Sequence, residues 1–167
     1  MPNLKTITLK RSANVASTFH AFENIKLRQI NLNNLENVQR PDTYSNSTAL
    51  YFFYNVTGLT TLSLPKLERF ESNSTYHFVN MPDLIELDLP NFVGHVTNGF
   101  NNLPNLERLN IPKLTNVSNY FLSKNEKIKE FTFTANMNIG YASYAFYQSK
   151  VERIIIEEGS NFAYSST

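Results

Sequence analysis

The sequence predicts an α/β repeat fold, a right-handed solenoid with a parallel β-sheet of about seven short strands and short helical turns or loops on the opposite face. Three observations predict it. In seven places an apolar residue is followed three and then five positions later by two more. The first residues of these copies lie 23, 32, 25, 22, 22 and 23 positions apart. Proline and aromatic residues recur at fixed places between the copies.

The apolar triplets carry the period of the chain. Their members are Leu4-Ile7-Leu9, Leu27-Ile30-Leu32, Leu59-Leu62-Leu64, Leu84-Leu87-Leu89, Leu106-Leu109-Ile111, Ile128-Phe131-Phe133 and Val151-Ile154-Ile156. A period between 20 and 29 residues with leucine at these places is typical of leucine-rich-repeat solenoids. Because such an array grows by stacking, we expect residues 1–167 to form a single array.

One copy shows how each strand should bury its side chains. Leu109 and Ile111 alternate with polar neighbours, so a short strand directs these two inward, and Leu106 enters the core just before it. A single repeat would not fold, because burial offsets ordering only when neighbouring turns cover its faces. We therefore expect nearly complete burial of the following inward residues: Leu62, Leu64, Leu87, Leu89, Leu109, Ile111, Phe131 and Phe133.

The segments that return from one strand to the next are also regular. Three of them should begin at a proline that ends strand pairing, namely Pro65, Pro90 and Pro112. An aromatic residue that fills the back of the solenoid follows at Phe22, Phe53, Phe78, Phe100, Phe121 and Phe146. Two residues later stands Asn24, Asn55, Asn80 or Asn102, which should bond turn backbone. The next residue, Ile25, Val56, Met81 or Leu103, should point inward.

These residues resemble the BspA-like class of leucine-rich repeats, also called the Treponema pallidum type. The resemblance covers nearly the whole chain and is carried best by LTTLSLPKLERF, LIELDLPNF, LERLNIPKL and YAFYQSKVERIIIEEG. The commoner repeat class places Asn or Cys in a buried ladder after the strand, whereas Lys66 and Lys113 stand at the comparable position here. The cysteine often found after the aromatic residue in BspA-like repeats is also missing, and aliphatic residues replace it.

The second interval is longer by about nine residues, which adds a segment around residues 39–48 that contains Tyr44. Insertions between repeats emerge as loops, and such loops often bind ligands. A solvated excursion over the back of the array is the alternative. Beside it, Tyr51-Phe52-Phe53-Tyr54 places four aromatic residues in a row. Either some of them are exposed as a contact surface, or a larger turn has a larger interior to fill.

Charged residues recur at one outward strand position in successive copies: Glu86, Arg108, Glu130 and Arg153. Glu107, Lys129 and Glu152 share the preceding position. One interpretation is a polar patch for a ligand, extended by Asp88 and Asn110. The other is a ladder of exposed salt bridges, since opposite charges on neighbouring strands support register. The possible ligand contacts are therefore Glu86, Asp88, Arg108, Asn110, Glu130 and Arg153, with Tyr44 on the loop.

The residues that would support chemistry are scarce. The chain has no cysteine, and its three histidines, His20, His77 and His95, match no metal-ligand pattern and are expected in turns or at the surface. Phosphate-binding loops and nucleophile elbows are missing too. The sequence therefore predicts no catalytic residues, no cofactor, no metal and no enzymatic activity. A net charge of +1 gives no reason to expect nucleic acid as a partner.

The location of the protein follows mainly from the resemblance. No apolar run approaches the roughly 18 residues needed to span a bilayer, so this segment should not insert into a membrane. Met1-Pro2-Asn3-Leu4 matches Met81-Pro82-Asp83-Leu84 inside the fourth copy, so we see no signal peptide here and interpret the chain as a fragment of a longer protein. Similarity to BspA-like proteins implies the cell surface or secretion.

Three functions remain open from the sequence. The first is a non-catalytic binding module that contacts a protein or glycan, including host or extracellular-matrix molecules, over an extended surface. The second is a structural scaffold or spacer segment of a larger multidomain protein. The third is an array that senses a ligand for an attached domain. Because solenoid folds serve many ends, the fold alone does not choose among them.

Overall fold

The computed structural model describes residues 6–8, 13–16, 21–39, 51–70, 76–96, 98–117, 119–135, 137–139 and 143–162. Within them the chain forms sixteen short strands and no helix. In chain order they are β1 (Thr6–Thr8), β2 (Ala13–Ala16), β3 (Gln29–Asn31), β4 (Leu35–Gln39), β5 (Phe53–Tyr54), β6 (Thr61–Ser63), β7 (Arg69–Phe70), β8 (Phe78–Val79), β9 (Glu86–Asp88), β10 (His95–Val96), β11 (Arg108–Asn110), β12 (Asn116–Val117), β13 (Glu130–Phe133), β14 (Asn138–Ile139), β15 (Arg153–Ile156) and β16 (Asn161–Phe162).

Each apolar triplet contains a strand, but these strands do not make one continuous sheet. They form three parallel groups: β1 with β3, then β6, β9 and β11 in order, then β13 with β15. The register follows the repeat, so that Leu62 pairs with Leu87 and Leu87 with Leu109. The expectation of a single sheet is therefore wrong, and we refer to the three groups together as the main face.

The return segments form further parallel strands where helical turns were the other expectation. One column contains β2, β4 and β7, another contains β10, β12, β14 and β16, and β5 pairs with β8. Many of their backbone amides bond the next turn of the solenoid, as in the bond from Phe78 N to Gly99 O, while a few close local turns, as in the bond from Tyr147 N to Tyr144 O. Parallel strands on several sides thus make a β-solenoid, and no helix forms in the described segments.

The interior is a continuous column of aliphatic and aromatic side chains. Leu62, Leu64, Leu87, Leu89, Ile111, Phe131 and Phe133 are buried as predicted, with exposures of 6% or less. Phe53, Phe78 and Phe100 stack at centroid distances of 5.6 and 5.5 Å. Leu122, and not Phe121, continues this column, because Asn102 N bonds Ser123 O and sets the register one residue later. Phe121 is nevertheless fully buried.

Asparagine side chains join successive turns at the back of the solenoid. Asn55 Nδ2 donates to Asn24 Oδ1 at 2.5 Å, Asn80 to Asn55 at 2.7 Å, and Asn102 to Asn80 at 2.9 Å. Each of the four has a positive φ between 53° and 58°, a conformation that asparagine tolerates better than most residues. They therefore bond mainly one another, where bonds to turn backbone were expected. We call this row the asparagine ladder.

The residue after each asparagine lies inward as predicted: Val56, Met81 and Leu103 are buried, and Ile25 is partly buried. Asn125 occupies the same place one turn later and is also fully buried. Its side chain compensates by bonding the backbone of the preceding turn, because Nδ2 donates to Phe100 O at 2.8 Å and Oδ1 accepts from Leu103 N at 2.9 Å.

The main face is interrupted between β11 and β13. No ladder bond joins these strands, and no Cα atom of one lies within 8 Å of a Cα atom of the other. The column of β12 and β14 remains paired at the same level of the solenoid. The interruption coincides with a change in side-chain bulk, since Phe131 and Phe133 stand where β11 has Leu109 and Ile111. We call the space between β11 and β13 the sheet gap.

Candidate binding surface

The structure places the predicted polar residues on the outward side of the main face. The six residues Glu86, Asp88, Arg108, Asn110, Glu130 and Arg153 form what we call the outward sheet face. Alternation along each strand produces it, because residues on either side of a buried Leu87 or Phe131 must point away from the core. Tyr44, the seventh predicted contact, lies outside the described residues.

On β9 and β11 the side chains of this face are bonded across the strands. Arg108 Nη2 donates to Glu86 Oε2 at 2.8 Å, which also raises the pKa of Arg108 through the hydrogen bond and the negative charge. Asn110 Nδ2 donates to Asp88 Oδ1 at 2.7 Å, and Ser63 Oγ donates to Asp88 Oδ2 at 2.8 Å. Asp88 is thus held from both neighbouring strands, and this half of the face is ordered by its own bonds.

The other half of the face lies on β13 and β15. Arg153 pairs with Glu130 across the two strands, as their register requires. One residue earlier, Lys129 Nζ donates to Glu152 Oε1 at 2.5 Å. All four side chains are at least 40% exposed, so these pairs contribute little to stability. Their arrangement sets the directions of the four charged groups.

The sheet gap separates these halves and corrects the predicted charge column. Arg108 was expected to stand beside Glu130, but β11 and β13 are not neighbours in a sheet. The column is therefore two separate ion pairs. The same gap explains why Leu109 is only partly buried although its counterpart Leu87 is fully buried. Leu109 lacks a covering strand on one side.

A cavity of about 400 Å³ occupies the sheet gap. Its apolar lining comes from Leu109, Ile111, Phe131 and Met137, and its polar lining includes Glu130 and Glu157. The turns meet again beyond the strands, where Thr134 Oγ1 lies 3.5 Å from Pro112 O and Asn138 N bonds Thr115 O at 2.6 Å. The gap is therefore a bounded cleft in the middle of the outward sheet face.

Exposed tyrosines form a second surface that the repeat pattern did not single out. Tyr120 stacks on Tyr144 at 5.3 Å, and Tyr147 meets Tyr144 edge-on at 5.8 Å. Tyr144 and Tyr147 are 60% and 46% exposed. The equivalent positions in earlier turns hold Tyr51 and Tyr76, which stack at 5.1 Å and are half-buried. Counting four residues back from Asn55 and Asn80 gives Tyr51 and Tyr76, and the backbone register continues the column through Asn98 to Tyr120 and Tyr144.

The four consecutive aromatic residues divide between the two environments that the sequence left open. Phe52 and Phe53 are buried, whereas Tyr51 and Tyr54 are half-buried and meet edge-on at 4.9 Å. Burial raises the pKa of Tyr51, and Tyr76, Tyr54 and Glu23 add to the effect. The interior therefore takes the phenylalanines, and the tyrosines form its partly exposed border.

Among the described residues, His77 is the histidine whose side chain the structure defines. It is fully buried, whereas a turn or surface position was expected. Its ring lies 3.6 Å from that of Phe70, and neither ring nitrogen has a hydrogen-bond partner among the described residues. Burial lowers the pKa of His77 to about 3. The residue is thus neutral near pH 7 and belongs to the core, where no substrate would reach it.

The described residues contain no group of three or more histidine, cysteine, aspartate or glutamate side chains placed to hold a metal ion. The carboxylates of the outward sheet face each bond a donor of the same face. Its chemistry is therefore that of hydrogen bonding and charge, and no described group is arranged for proton transfer or nucleophilic attack.

Comparison with known protein families identifies the class of the repeat. The family model for the BspA type leucine rich repeat region matches in six copies, over residues 1–93 and 46–166. The chain belongs to this family. The BspA-type repeat thus accounts for the recurring apolar triplets. A search of curated proteins and a search of solved structures each returned no match.

Membership of the BspA-type family supports a repeat module for protein interaction or for structure, and the family is generally non-catalytic. The missing cysteine leaves the fold intact, because Val56, Met81 and Leu103 occupy buried places beside the asparagine ladder. In the part of the chain that the structure describes, no helix has the length and apolarity to cross a bilayer.

Proposed function

We propose that this chain is a non-catalytic binding module of a surface-displayed or secreted protein, and that it contacts a protein or glycan partner through the outward sheet face. The observation that carries the proposal is the ordering of this face. Six polar side chains stand on short strands and are held in register by bonds between Arg108 and Glu86, Asn110 and Asp88, and Arg153 and Glu130. Such a face loses little conformational entropy when it binds.

Family membership supports the same conclusion from another side. BspA-type repeat proteins are generally surface-displayed or secreted, and repeat solenoids bind partners over extended surfaces. The proposed partners are extracellular-matrix proteins or host-cell glycans. Contact at the outward sheet face would add charge-assisted bonds from the partner to side chains whose directions the ion pairs already set.

The test is a double charge reversal, Arg108→Glu with Arg153→Glu, measured against immobilised matrix proteins and a glycan array. We expect loss of binding, while the circular dichroism and melting midpoint stay nearly unchanged because both side chains are exposed. The matched control is Lys113→Glu with Lys150→Glu, which makes the same change of charge at exposed residues outside the outward sheet face. The control should bind like the unaltered chain.

A scaffold or spacer segment is the second candidate, and a specific observation favours it. The charged groups of the outward sheet face are already paired with one another, as expected of a ladder that stabilises stacking. If the double reversal binds matrix proteins and glycans as the unaltered chain does, or if neither variant nor parent binds any of them, the scaffold function replaces the proposed one.

A further inference from the structure

We infer that the sheet gap is a binding site for one extended peptide segment of a partner protein, which would pair with β11 and β13 as an added parallel or antiparallel strand. The inference deepens the proposed binding function and rests on it. It names the place on the outward sheet face where the partner enters and the conformation that the partner adopts.

The width of the gap is the first argument. Neighbouring strands of a sheet lie about 4.8 Å apart, so two strands with one strand missing between them lie about 9.6 Å apart. The Cα atoms of β11 and β13 are everywhere more than 8 Å apart. The turns touch again beyond the strands through Thr134 and Pro112, which limits the opening to the strand segment. β11 and β13 have 3 and 4 residues, which sets the length of the segment that fits.

The backbone of β11 supplies the second argument. Successive residues of a strand direct their N–H and C=O groups to alternate sides. Arg108 N donates to Ile85 O at 3.1 Å and Asn110 O accepts from Leu89 N at 2.8 Å, so these two residues face the preceding turn. Leu109, which lies between them, therefore directs its backbone groups into the sheet gap.

The backbone of β13 meets the gap in the same way. Lys129 O accepts from Arg153 N at 3.0 Å and Phe133 O accepts from Glu157 N at 2.9 Å, so these residues face β15. Glu130 and Thr132 then direct their backbone groups toward β11. Two strand edges with free pairing capacity thus face one another across the sheet gap, and an extended peptide that entered it would satisfy both edges at once.

The lining of the cavity defines the side chains of the peptide. Leu109, Ile111, Phe131 and Met137 form an apolar floor, which suits small aliphatic residues at alternate positions. Glu130 and Glu157 are the charged residues of the lining, and both are acidic. Lysine or arginine at the other positions complements them. The predicted ligand is therefore a segment in which small aliphatic and basic residues alternate.

Amide hydrogen exchange with a defined peptide tests this inference. The probe is acetyl-Lys-Val-Lys-Val-Lys-Val-Lys-amide, added to the unaltered chain and followed by nuclear magnetic resonance. We expect the amides of Leu109 and Thr132 to exchange at least about 10-fold more slowly with peptide, which corresponds to about 1.4 kcal/mol of added protection. The amide of Arg108, already bonded to Ile85, should change little.

Two control peptides separate strand pairing from attraction between charges. The first is the same sequence with N-methyl groups on all the valine amides, which removes donors along one edge. The second replaces lysine by aspartate. Neither should protect Leu109 or Thr132. Equal protection by the N-methylated peptide, or no protection by the original, would overturn strand insertion. Protection that grows with protein concentration in the absence of peptide would also overturn it, because a second copy of the chain would then be the occupant.

A cysteine pair tests whether the gap persists in solution. Asn110→Cys with Thr132→Cys places thiols on both edges, whereas Asp88→Cys with Asn110→Cys places them on paired strands. The chain has no other cysteine. Disulfides need Cα atoms about 4.4 to 6.8 Å apart, so we expect oxidation to link the second pair and leave the first open. Rapid linkage of the first pair would show a closed gap and contradict the inference.

The two proposals fail in different ways. A chain that binds matrix proteins, loses that binding on reversal of Arg108 and Arg153, and gives no protection with the peptide retains the proposed function and loses strand insertion. A chain that protects Leu109 and Thr132 with the peptide but binds no matrix protein or glycan retains the strand site and loses the proposed partner class.

Discussion

At the scale of single residues, His77 shows how strongly position in the solenoid governs chemistry. The backbone register places Phe52, Gly99, Phe121 and Ala145 at the equivalent position of other turns, and all four are buried. Ala21 at the same position is partly buried. A histidine in that column must stay neutral to remain inside, which is why burial lowers its pKa to about 3. The search for metal-ligand motifs could not show that His77 is buried. Its burial becomes visible only when the return segments are aligned with one another.

The lowered pKa of His77 predicts acid sensitivity. In the unfolded chain the residue takes up a proton near pH 6.5, whereas in the folded chain it does so near pH 3. Stability is therefore fully present above pH 6.5 and falls by up to about 1.4 kcal/mol per pH unit between these values. His77→Phe should remove this slope. Urea unfolding of both proteins at pH 7, 5 and 4 measures it, and parallel pH profiles would contradict the prediction.

Asn80 carries two roles that substitution can separate. It has a positive φ of 56° and bonds both Asn55 and Asn102. Asn80→Gly keeps the backbone conformation accessible and removes the bonds, with an expected loss of about 1 to 3 kcal/mol. Asn80→Ala should lose more, because alanine is strained in the left-handed region. Thermal unfolding compares the two, and equal losses would show that the backbone conformation contributes nothing.

At the scale of strands, the sequence predicts where β-structure forms but not how it is joined. The spacing of Leu87 and Leu109 places both strands and their inward direction correctly, because alternation depends only on polarity. The sheet gap was not predictable in this way, since Phe131 satisfies the same pattern as a leucine while differing in volume. The return segments were expected to be helical turns or loops because their inter-turn bonding partners lie about 21 to 32 residues away in sequence.

The sheet gap makes two equivalent leucines unequal. Leu87 is fully buried between strands on both sides, so Leu87→Ala should lower the free energy of unfolding by about 2 to 5 kcal/mol. Leu109 borders the cavity and is partly buried, so Leu109→Ala should lower it by clearly less, about 1 to 2 kcal/mol. Chemical denaturation measures both. Equal losses would indicate that β11 and β13 close on one another in solution.

At the scale of the whole molecule, the candidate surface was predictable in its residues but not in its shape. The repeat spacing predicts that Glu86 lies beside Arg108 and Glu130 beside Arg153, and both ion pairs form. The same spacing also predicts that Arg108 lies next to Glu130, but the sheet gap separates these two residues. Polarity and spacing describe one turn at a time, whereas the fit between turns depends on the volumes of their interiors.

The whole chain should also be free of metal and of catalytic activity. The described residues offer no cluster of metal ligands, and the described histidine with a defined side chain is sealed in the core. We expect less than about 0.1 mol of zinc per mole of protein by mass spectrometry after dialysis, which follows from the ligand number that zinc requires. Hydrolysis of ester and phosphate substrates should equal the buffer rate. One tightly held zinc ion per chain would refute this.

The interruption between β11 and β13 also makes the solenoid mechanically uneven. The turn that contains β11 is joined to the turn that contains β13 by the pairing of β12 with β14 on one side. At the back it is joined by the bonds from Asn102 N to Ser123 O and from Leu103 N to Asn125 Oδ1. On the main face, β11 and β13 share no ladder bonds. Tension along the axis of the array is then carried off-centre. The molecule should yield there by bending, with the main face opening outward, before any pair of turns separates. A solenoid of this kind should bend at one level when it is pulled, and that level lies under the proposed binding surface.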